Sequence, residues 1–264
     1  MKNDNKQSLT KDILRDYMNE PKRGFTPKIT DDPVTNIFID FKTGFDWEKQ
    51  NGYEGIPFYE YADEYEKFRL KYDADARYFN ETLNDPIAAL RGDTITSFYT
   101  LYKEMLYHAT GAKYHKGNNP FDELIAKRNE PGFKEVNDRF TEFAELLYTA
   151  GNFMLLPHRE MNVDRYRCSQ DRIDKSLYEC FPGGELSKYF GISEEMQMDN
   201  LIGWIKAQSL EMMFENGEIE RDKIIPFNKN DPFIEFNSMT IEGLNEFLDS
   251  VVWLIKQRND IITL

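Results

Sequence analysis

The sequence of 264 residues is poor in the residue types on which several kinds of site depend. It has only 2 Cys and 3 His, too few for a disulfide framework or for a metal centre rich in these ligands. No run approaches the roughly 18 apolar residues of a membrane-spanning helix, and the polar beginning lacks the apolar stretch of a signal peptide. We therefore expect a cytoplasmic protein with no metal site and no membrane association.

The motifs of common enzyme classes are also missing. The chain has no Gly-x-Gly-x-x-Gly, no Gly-x-x-x-x-Gly-Lys-Ser/Thr, no His-Glu-x-x-His, no Gly-x-Ser-x-Gly and no Cys-x-x-Cys. These absences argue against a dinucleotide-binding, P-loop, zincin or α/β-hydrolase enzyme. The sequence does not identify a cofactor, and it leaves open whether the protein is an enzyme.

Basic residues are in the minority. The chain has 33 Lys and Arg against 47 Asp and Glu, a formal net charge of −14. Proteins that bind extended duplex nucleic acid usually carry a basic stripe, because the release of counterions from phosphates supplies much of their affinity. This class of partner is therefore unlikely on charge alone, and the acidic residues indicate a solvated surface.

The apolar residues are arranged mainly with helical spacing. With 40% hydrophobic and 14% aromatic residues, the chain is apolar enough to form a core. The clearest amphipathic stripes predict helices near 133–150, 194–215 and 240–258, and we expect their apolar residues to be buried. We predict a mainly α fold, a single-domain irregular helical bundle with a few short extended segments. The residues expected in the core are Phe140, Phe143, Leu147, Leu201, Ile205, Leu248 and Val251.

The beginning of the chain has a different character. Residues 1–33 are polar and rich in Lys, Asn, Asp and Pro, which predicts a flexible, mobile N-terminal arm before a single mainly helical domain at 34–264. Residues 36–41 alternate between apolar and polar side chains, which favours a short strand. Tyr61, Tyr65, Phe68 and Tyr72 are spaced as one face of a helix.

The segment from Thr149 to Cys180 is the strongest candidate for a functional site. It contains four Arg within the fourteen residues 159–172, a high local density in an acidic protein. Arginine binds phosphate or carboxylate through two parallel hydrogen bonds, so we expect an anion site in a loop at 152–174. In this hypothesis the arginines contact the ligand, the asparagines shape the turn and the aspartates orient the arginines. The candidate residues are Asn152, Arg159, Asn162, Arg165, Arg167, Asp171, Arg172 and Asp174.

Two other interpretations of this segment stay open. Neighbouring acidic residues nearly cancel the arginine charges, and Arg–Asp networks often only attach a loop to helices. His158 is the candidate for proton transfer, because imidazole titrates near neutral pH and Glu160 or Asp164 could orient it. The ligand-binding hypothesis predicts a concave pocket with converging arginines, whereas the structural alternative predicts arginines engaged by internal carboxylates.

Part of this segment resembles a known pattern. Residues 151–157 (Gly-Asn-Phe-Met-Leu-Leu-Pro) with Asn162 resemble an element of an uncharacterised bacterial domain family, Gly-Asn-Phe-x-x-x-Pro followed by Asn-x-x-Arg-Gly. Residues 171–180 (Asp-Arg-Ile-Asp-Lys-Ser-Leu-Tyr-Glu-Cys) are similar to a second element of that family. The resemblance covers residues 149–180 and implies a grouping among bacterial or phage proteins, without an activity.

The same residues also resemble half of a nuclease motif. In GmrSD-type restriction enzymes and related His-Asn-His endonucleases, a similar Gly-Asn-Leu-x-Leu-Leu…Asn element forms the second strand and the helix of a metal-binding finger. This resemblance implies a metal-dependent nuclease of a defence system, with Asn152, His158 and Asn162 near the metal. The upstream Asp/Glu-His-Ile-x-Pro strand that supplies the general base is missing from the sequence. A third hypothesis is a non-catalytic protein that binds a protein partner or forms a homo-oligomer.

Overall fold

The computed structural model describes Lys11, Leu14 and residues 29–51, 92–114, 120–158 and 160–263. Within these residues the chain forms eight α-helices and one two-stranded antiparallel sheet, a mainly α single domain as predicted. None of the helices described is long and apolar enough to cross a membrane. The elements are α1 (Pro33–Asn51), β1 (Gly92–Thr94), α2 (Phe98–Thr110), α3 (Phe121–Lys127), α4 (Pro131–Leu146), β2 (Phe153–Leu155), α5 (Met161–Ser169), α6 (Ile173–Cys180), α7 (Glu194–Ala207) and α8 (Ile241–Thr263).

The core lies where α2, α4 and α8 pack against one another. All seven residues that the helical stripes predicted to be buried are buried, so this prediction is confirmed. Aromatic side chains fill much of the contact between α2 and α4: the ring of Phe98 lies 5.3 Å from that of Phe140 and 5.1 Å from that of Phe143. Edge-on and tilted contacts of this kind add to the stabilisation from burial alone.

The strand expected at residues 36–41 is wrong, because these residues lie inside helix α1. Val34, Ile37, Phe38 and Phe41 are spaced i, i+3, i+4 and i+7 and pack into the core from one face of the helix. Asp32 caps the helix by accepting a hydrogen bond from the Val34 amide at 3.0 Å. The apparent alternation therefore came from a window that was too short.

Most of the predicted N-terminal arm lies outside the described residues, as does the helix expected around Tyr61–Tyr72. Leu14, however, is described and is buried. The end of the predicted arm also belongs to the folded body, since the Asp32 carboxylate accepts a hydrogen bond from the side-chain amide of Asn137 in α4 at 2.9 Å. The packed structure thus begins before the boundary at residue 33.

The short sheet joins two parts of the chain that are far apart in sequence. Asp93 of β1 pairs with Met154 of β2, and helix α2 begins five residues after Asp93. The N-cap of α2 is Ser97, whose side chain accepts a hydrogen bond from the Thr100 amide at 3.2 Å. The helix ends at Gly111, which has a left-handed φ of 72°.

Candidate functional site

The segment 152–174 is not a loop, contrary to expectation. It contains strand β2, helix α5 and the first two residues of α6. Gln170 and Asp171 join the two helices with φ values of 54° and 58°, a left-handed conformation that reverses the chain. Because α5 is a helix, its arginines point to different sides: Arg165 faces the interior and Arg167 faces the surface.

Arg165 is fully buried and bonded only to internal groups. Its guanidinium forms an ion pair with the Asp93 carboxylate of β1. It also donates hydrogen bonds to the Ser176 hydroxyl at 3.1 Å and to the carbonyls of Thr94 and Asp171 at 3.2 and 3.0 Å. Burial raises the pKa of Asp93, and the charge of Arg165 opposes this shift. Arg165 therefore ties β1, α5 and the α5–α6 turn together.

Arg172 and Asp174 form a second buried ion pair. Two guanidinium nitrogens of Arg172 donate to the two carboxylate oxygens of Asp174, at 3.2 and 2.8 Å. The third guanidinium nitrogen donates to the Ile234 carbonyl, and the Phe247 ring of α8 lies 5.0 Å from the guanidinium carbon. Asp174 also accepts a hydrogen bond from the Phe227 amide at 3.1 Å, so this pair attaches α6 to the segment before α8.

The expectation that these residues contact a ligand is therefore corrected. Arg165, Arg172 and Asp174 are each 0% exposed and saturated by internal partners, so a ligand has no access to them. Asn152 is equally buried, and its side-chain amide donates to the Leu147 carbonyl at 2.7 Å. Asp171 contributes its main-chain carbonyl to Arg165.

The remaining candidates lie at or near the surface, except Arg159, which lies outside the described residues. Asn162 is half-buried in the first turn of α5. His158 and Arg167 line a surface cleft of about 900 Å³ between α5 and the segment 188–196. Of the predicted site residues that the structure describes, these two are the ones that the fold brings together at an accessible place.

The charged side of this cleft is organised around one carboxylate. Asp164 accepts hydrogen bonds from the Lys188 ammonium at 2.7 Å and from the Tyr189 hydroxyl at 2.6 Å, and Arg167 lies 3.5 Å away. The hydrogen bonds from Lys188 and Tyr189 lower the pKa of Asp164, whereas burial and the nearby carboxylate raise the pKa of Tyr189. Near neutral pH the group thus consists of a carboxylate, two cations and a neutral phenol.

His158 forms part of the floor of the cleft. Its ring stacks on the Tyr189 ring with 5.3 Å between centroids and an interplanar angle of 22°. The Nδ1 atom accepts a hydrogen bond from the Glu160 amide at 3.2 Å, which fixes the ring orientation at the start of α5. Lys188 and Tyr189 were missed in the sequence because they belong to a different segment, with no motif that links them to α5.

The Gly-Asn-Phe element has a clear structural role. Arg258 of α8 donates hydrogen bonds to the carbonyls of Gly151 and Phe153, and the Asn259 side chain accepts one from the Gly151 amide at 2.6 Å. A Cβ atom on residue 151 would lie 2.2 Å from the Ile255 carbonyl oxygen, so only glycine fits. Burial lowers the pKa of Arg258 to about 9, which leaves it charged at neutral pH.

The nuclease resemblance involves strand β2, helix α5 and an upstream strand. Strand β2 is followed by helix α5, and β1 lies antiparallel to β2. Strand β1 (Gly-Asp-Thr) contains no histidine that could act as the general base of the nuclease motif, and its Asp93 is bound to Arg165. In the part of the chain that the structure describes, no group of three or more His, Cys, Asp or Glu side chains is placed to hold a metal ion.

Comparison of the chain with protein-family models, curated proteins and solved structures found no match.

Proposed function

We propose that the protein binds a small anionic ligand, such as a phosphate-bearing molecule, in the cleft beside α5. The observation that carries this proposal is the convergence of two exposed cations, Arg167 and Lys188, on one carboxylate. Their side chains are 74% and 60% exposed, and Asp164 is the acceptor they share. A phosphate group can accept hydrogen bonds from the outer faces of both cations while Asp164 holds them in place.

This proposal retains the anion ligand but changes the residues that contact it. Arg167 remains a contact and His158 lies beside it, whereas Lys188 replaces the buried Arg165 and Arg172. Glu160 also lines the cleft. The two acidic residues, Glu160 and Asp164, therefore balance the two cations, and the formal charge of the cleft is zero when His158 is counted as neutral. Affinity should therefore depend on direct hydrogen bonds from the two cations, and removal of the Glu160 charge should strengthen binding.

The test is a titration with inorganic pyrophosphate, followed by calorimetry and by NMR shifts of amides in α5. We expect Arg167→Ala and Lys188→Ala each to weaken binding by about tenfold to a hundredfold, since a hydrogen bond to a charged group contributes about 1.5–3 kcal/mol. Glu160→Gln should tighten binding. Rising salt should weaken binding in the original protein, because exposed charges are screened.

Arg139→Ala is the matched control. Arg139 is also an exposed arginine of a helix, paired with Asp249 far along the chain, and it does not line the cleft. Its loss should leave pyrophosphate binding unchanged. Absence of pyrophosphate binding at millimolar concentration, or equal losses in the Arg139 and Arg167 variants, would refute the proposal.

We also infer a cytoplasmic location. Cys168 and Cys180 are both free thiols, which suits a reducing compartment. A nuclease has less support. His158 is the predicted proton-transfer residue, and its Nδ1 atom already accepts a hydrogen bond from the Glu160 main-chain amide.

A further inference from the structure

The cleft has an apolar side in addition to its charged side. Val163 of α5, Ile192 and Met196 line it, and Tyr166 follows Val163 by one helical turn. Val163, Tyr166 and Ile192 are all exposed, and Ile192 is 96% exposed. Exposed apolar residues that cluster at a cleft indicate a binding surface more strongly than single ones scattered over the protein.

The exposed position of Ile192 is fixed by its neighbours. Gly191 precedes Ile192 and has a φ of 155°. The Gly191 carbonyl accepts a hydrogen bond from the Gln197 side chain at 3.1 Å. The Phe190 carbonyl accepts one from the Asn200 side chain at 2.6 Å. Ser193, the next residue, caps α7. These hydrogen bonds hold the turn that exposes Ile192 to solvent. A change in backbone conformation that buried its side chain would break them.

The stacked rings of His158 and Tyr189 lie in the same cleft as this apolar side and as the two cations. A bare phosphate ion would use only the charged side. The cleft volume of about 900 Å³ falls within the range of roughly 300–1,000 Å³ that is typical of sites for small organic molecules. The cleft therefore matches a molecule with one anionic end and one apolar end.

We propose that the ligand is a phosphate ester that carries an aromatic ring, with its phosphate on Arg167 and Lys188 and its ring against Ile192 and Val163. This inference rests on the proposed function and adds the chemical class of the ligand. Nucleoside phosphates belong to this class. Phenyl phosphate is the minimal probe of it, since it joins one ring to one phosphate.

The experiment compares the dissociation constants of inorganic phosphate and phenyl phosphate, measured by calorimetry on the full chain. We expect phenyl phosphate to bind about tenfold more tightly, as burial of one ring face predicts. Ile192→Ser and Val163→Ser should each reduce this preference about threefold and leave the affinity for inorganic phosphate unchanged. Trp253→Ser is the matched control, because Trp253 is an exposed apolar residue of α8 outside the cleft.

The outcomes separate the two proposals. If both ions bind with equal affinity, the aromatic ester is refuted while the anion site stands. If neither ion binds, both proposals fail. If phenyl phosphate is preferred but Ile192→Ser and Val163→Ser change nothing, the ring binds elsewhere and the inference is refuted. Adenosine monophosphate, tested in the same way, then reports whether a nucleobase is accepted as the ring.

Discussion

Replacement of Arg165 and Arg167, two residues apart on α5, should give opposite results. Arg165→Ala removes a buried guanidinium and leaves the Asp93 carboxylate without its counter-charge. It also removes the donor to the carbonyls of Thr94 and Asp171. Arg167→Ala removes only an exposed contact of 3.5 Å to Asp164.

The expected magnitudes differ by several-fold. Loss of one partner of a buried ion pair typically costs about 3–5 kcal/mol of the free energy of unfolding, because the other charge stays buried and uncompensated. An exposed ion pair contributes about 0–1 kcal/mol. The larger loss is a substantial part of the roughly 5–15 kcal/mol that is typical of the free energy of unfolding of a domain.

The assay is urea unfolding followed by circular dichroism, with pyrophosphate titration of the same two variants. We expect Arg165→Ala to unfold at a much lower urea concentration, and Arg167→Ala to unfold near the original midpoint but bind pyrophosphate weakly. Arg165→Lys, which keeps the charge but not the forked geometry, should fall between them. A loss below about 1 kcal/mol for Arg165→Ala would show that the ion pair with Asp93 is not the buried link described above.

Three further predictions concern the body of the protein. Gly151→Ala should lower the melting temperature strongly, since its Cβ would meet the Ile255 carbonyl at 2.2 Å, and an unchanged melting temperature would refute this close approach. Leu248→Ala should cost about 2–5 kcal/mol in urea unfolding, as for other fully buried leucines, and a much smaller loss would argue against its core position. Asp164→Asn should destabilise the protein at pH 7. Because the pKa of Asp164 is lowered by folding, this stabilisation exists above the unfolded pKa of about 3.9 and is lost as pH falls through the folded value. The difference in unfolding free energy between the variant and the original should therefore shrink at pH 3.

The helices of the core were predictable because their apolar stripes are long. In α8 the stripe from Ile241 to Ile255 repeats over four turns, and a repeat of this length indicates an amphipathic helix. Residues 36–41 failed for the opposite reason, since six residues fit both a strand and a helix. Inclusion of Val34 and of the cap at Asp32 would have revealed helix α1.

The roles of the arginines could not be predicted from their local density. Asp93, the partner of Arg165, lies 72 residues earlier in the chain, and the Ile234 carbonyl bound by Arg172 lies 62 residues later. Only the tertiary fold decides which guanidinium is enclosed. The helical spacing of Arg165 and Arg167 did contain a usable signal, because residues two apart on a helix point in different directions.

The clamp between α8 and the Gly-Asn-Phe element has a consequence for the order of folding. Gly151 binds Asn259, which lies 108 residues later, and the cap residue Asp32 binds Asn137 across 105 residues. Contacts between such distant residues form slowly, because a long loop must close first. During synthesis, α2 and α4 leave the ribosome long before α8. The apolar surfaces of α2 and α4 that pack against α8 therefore stay exposed until α8 has been made. Chaperone binding to the nascent chain should therefore persist until residues 241–263 have emerged.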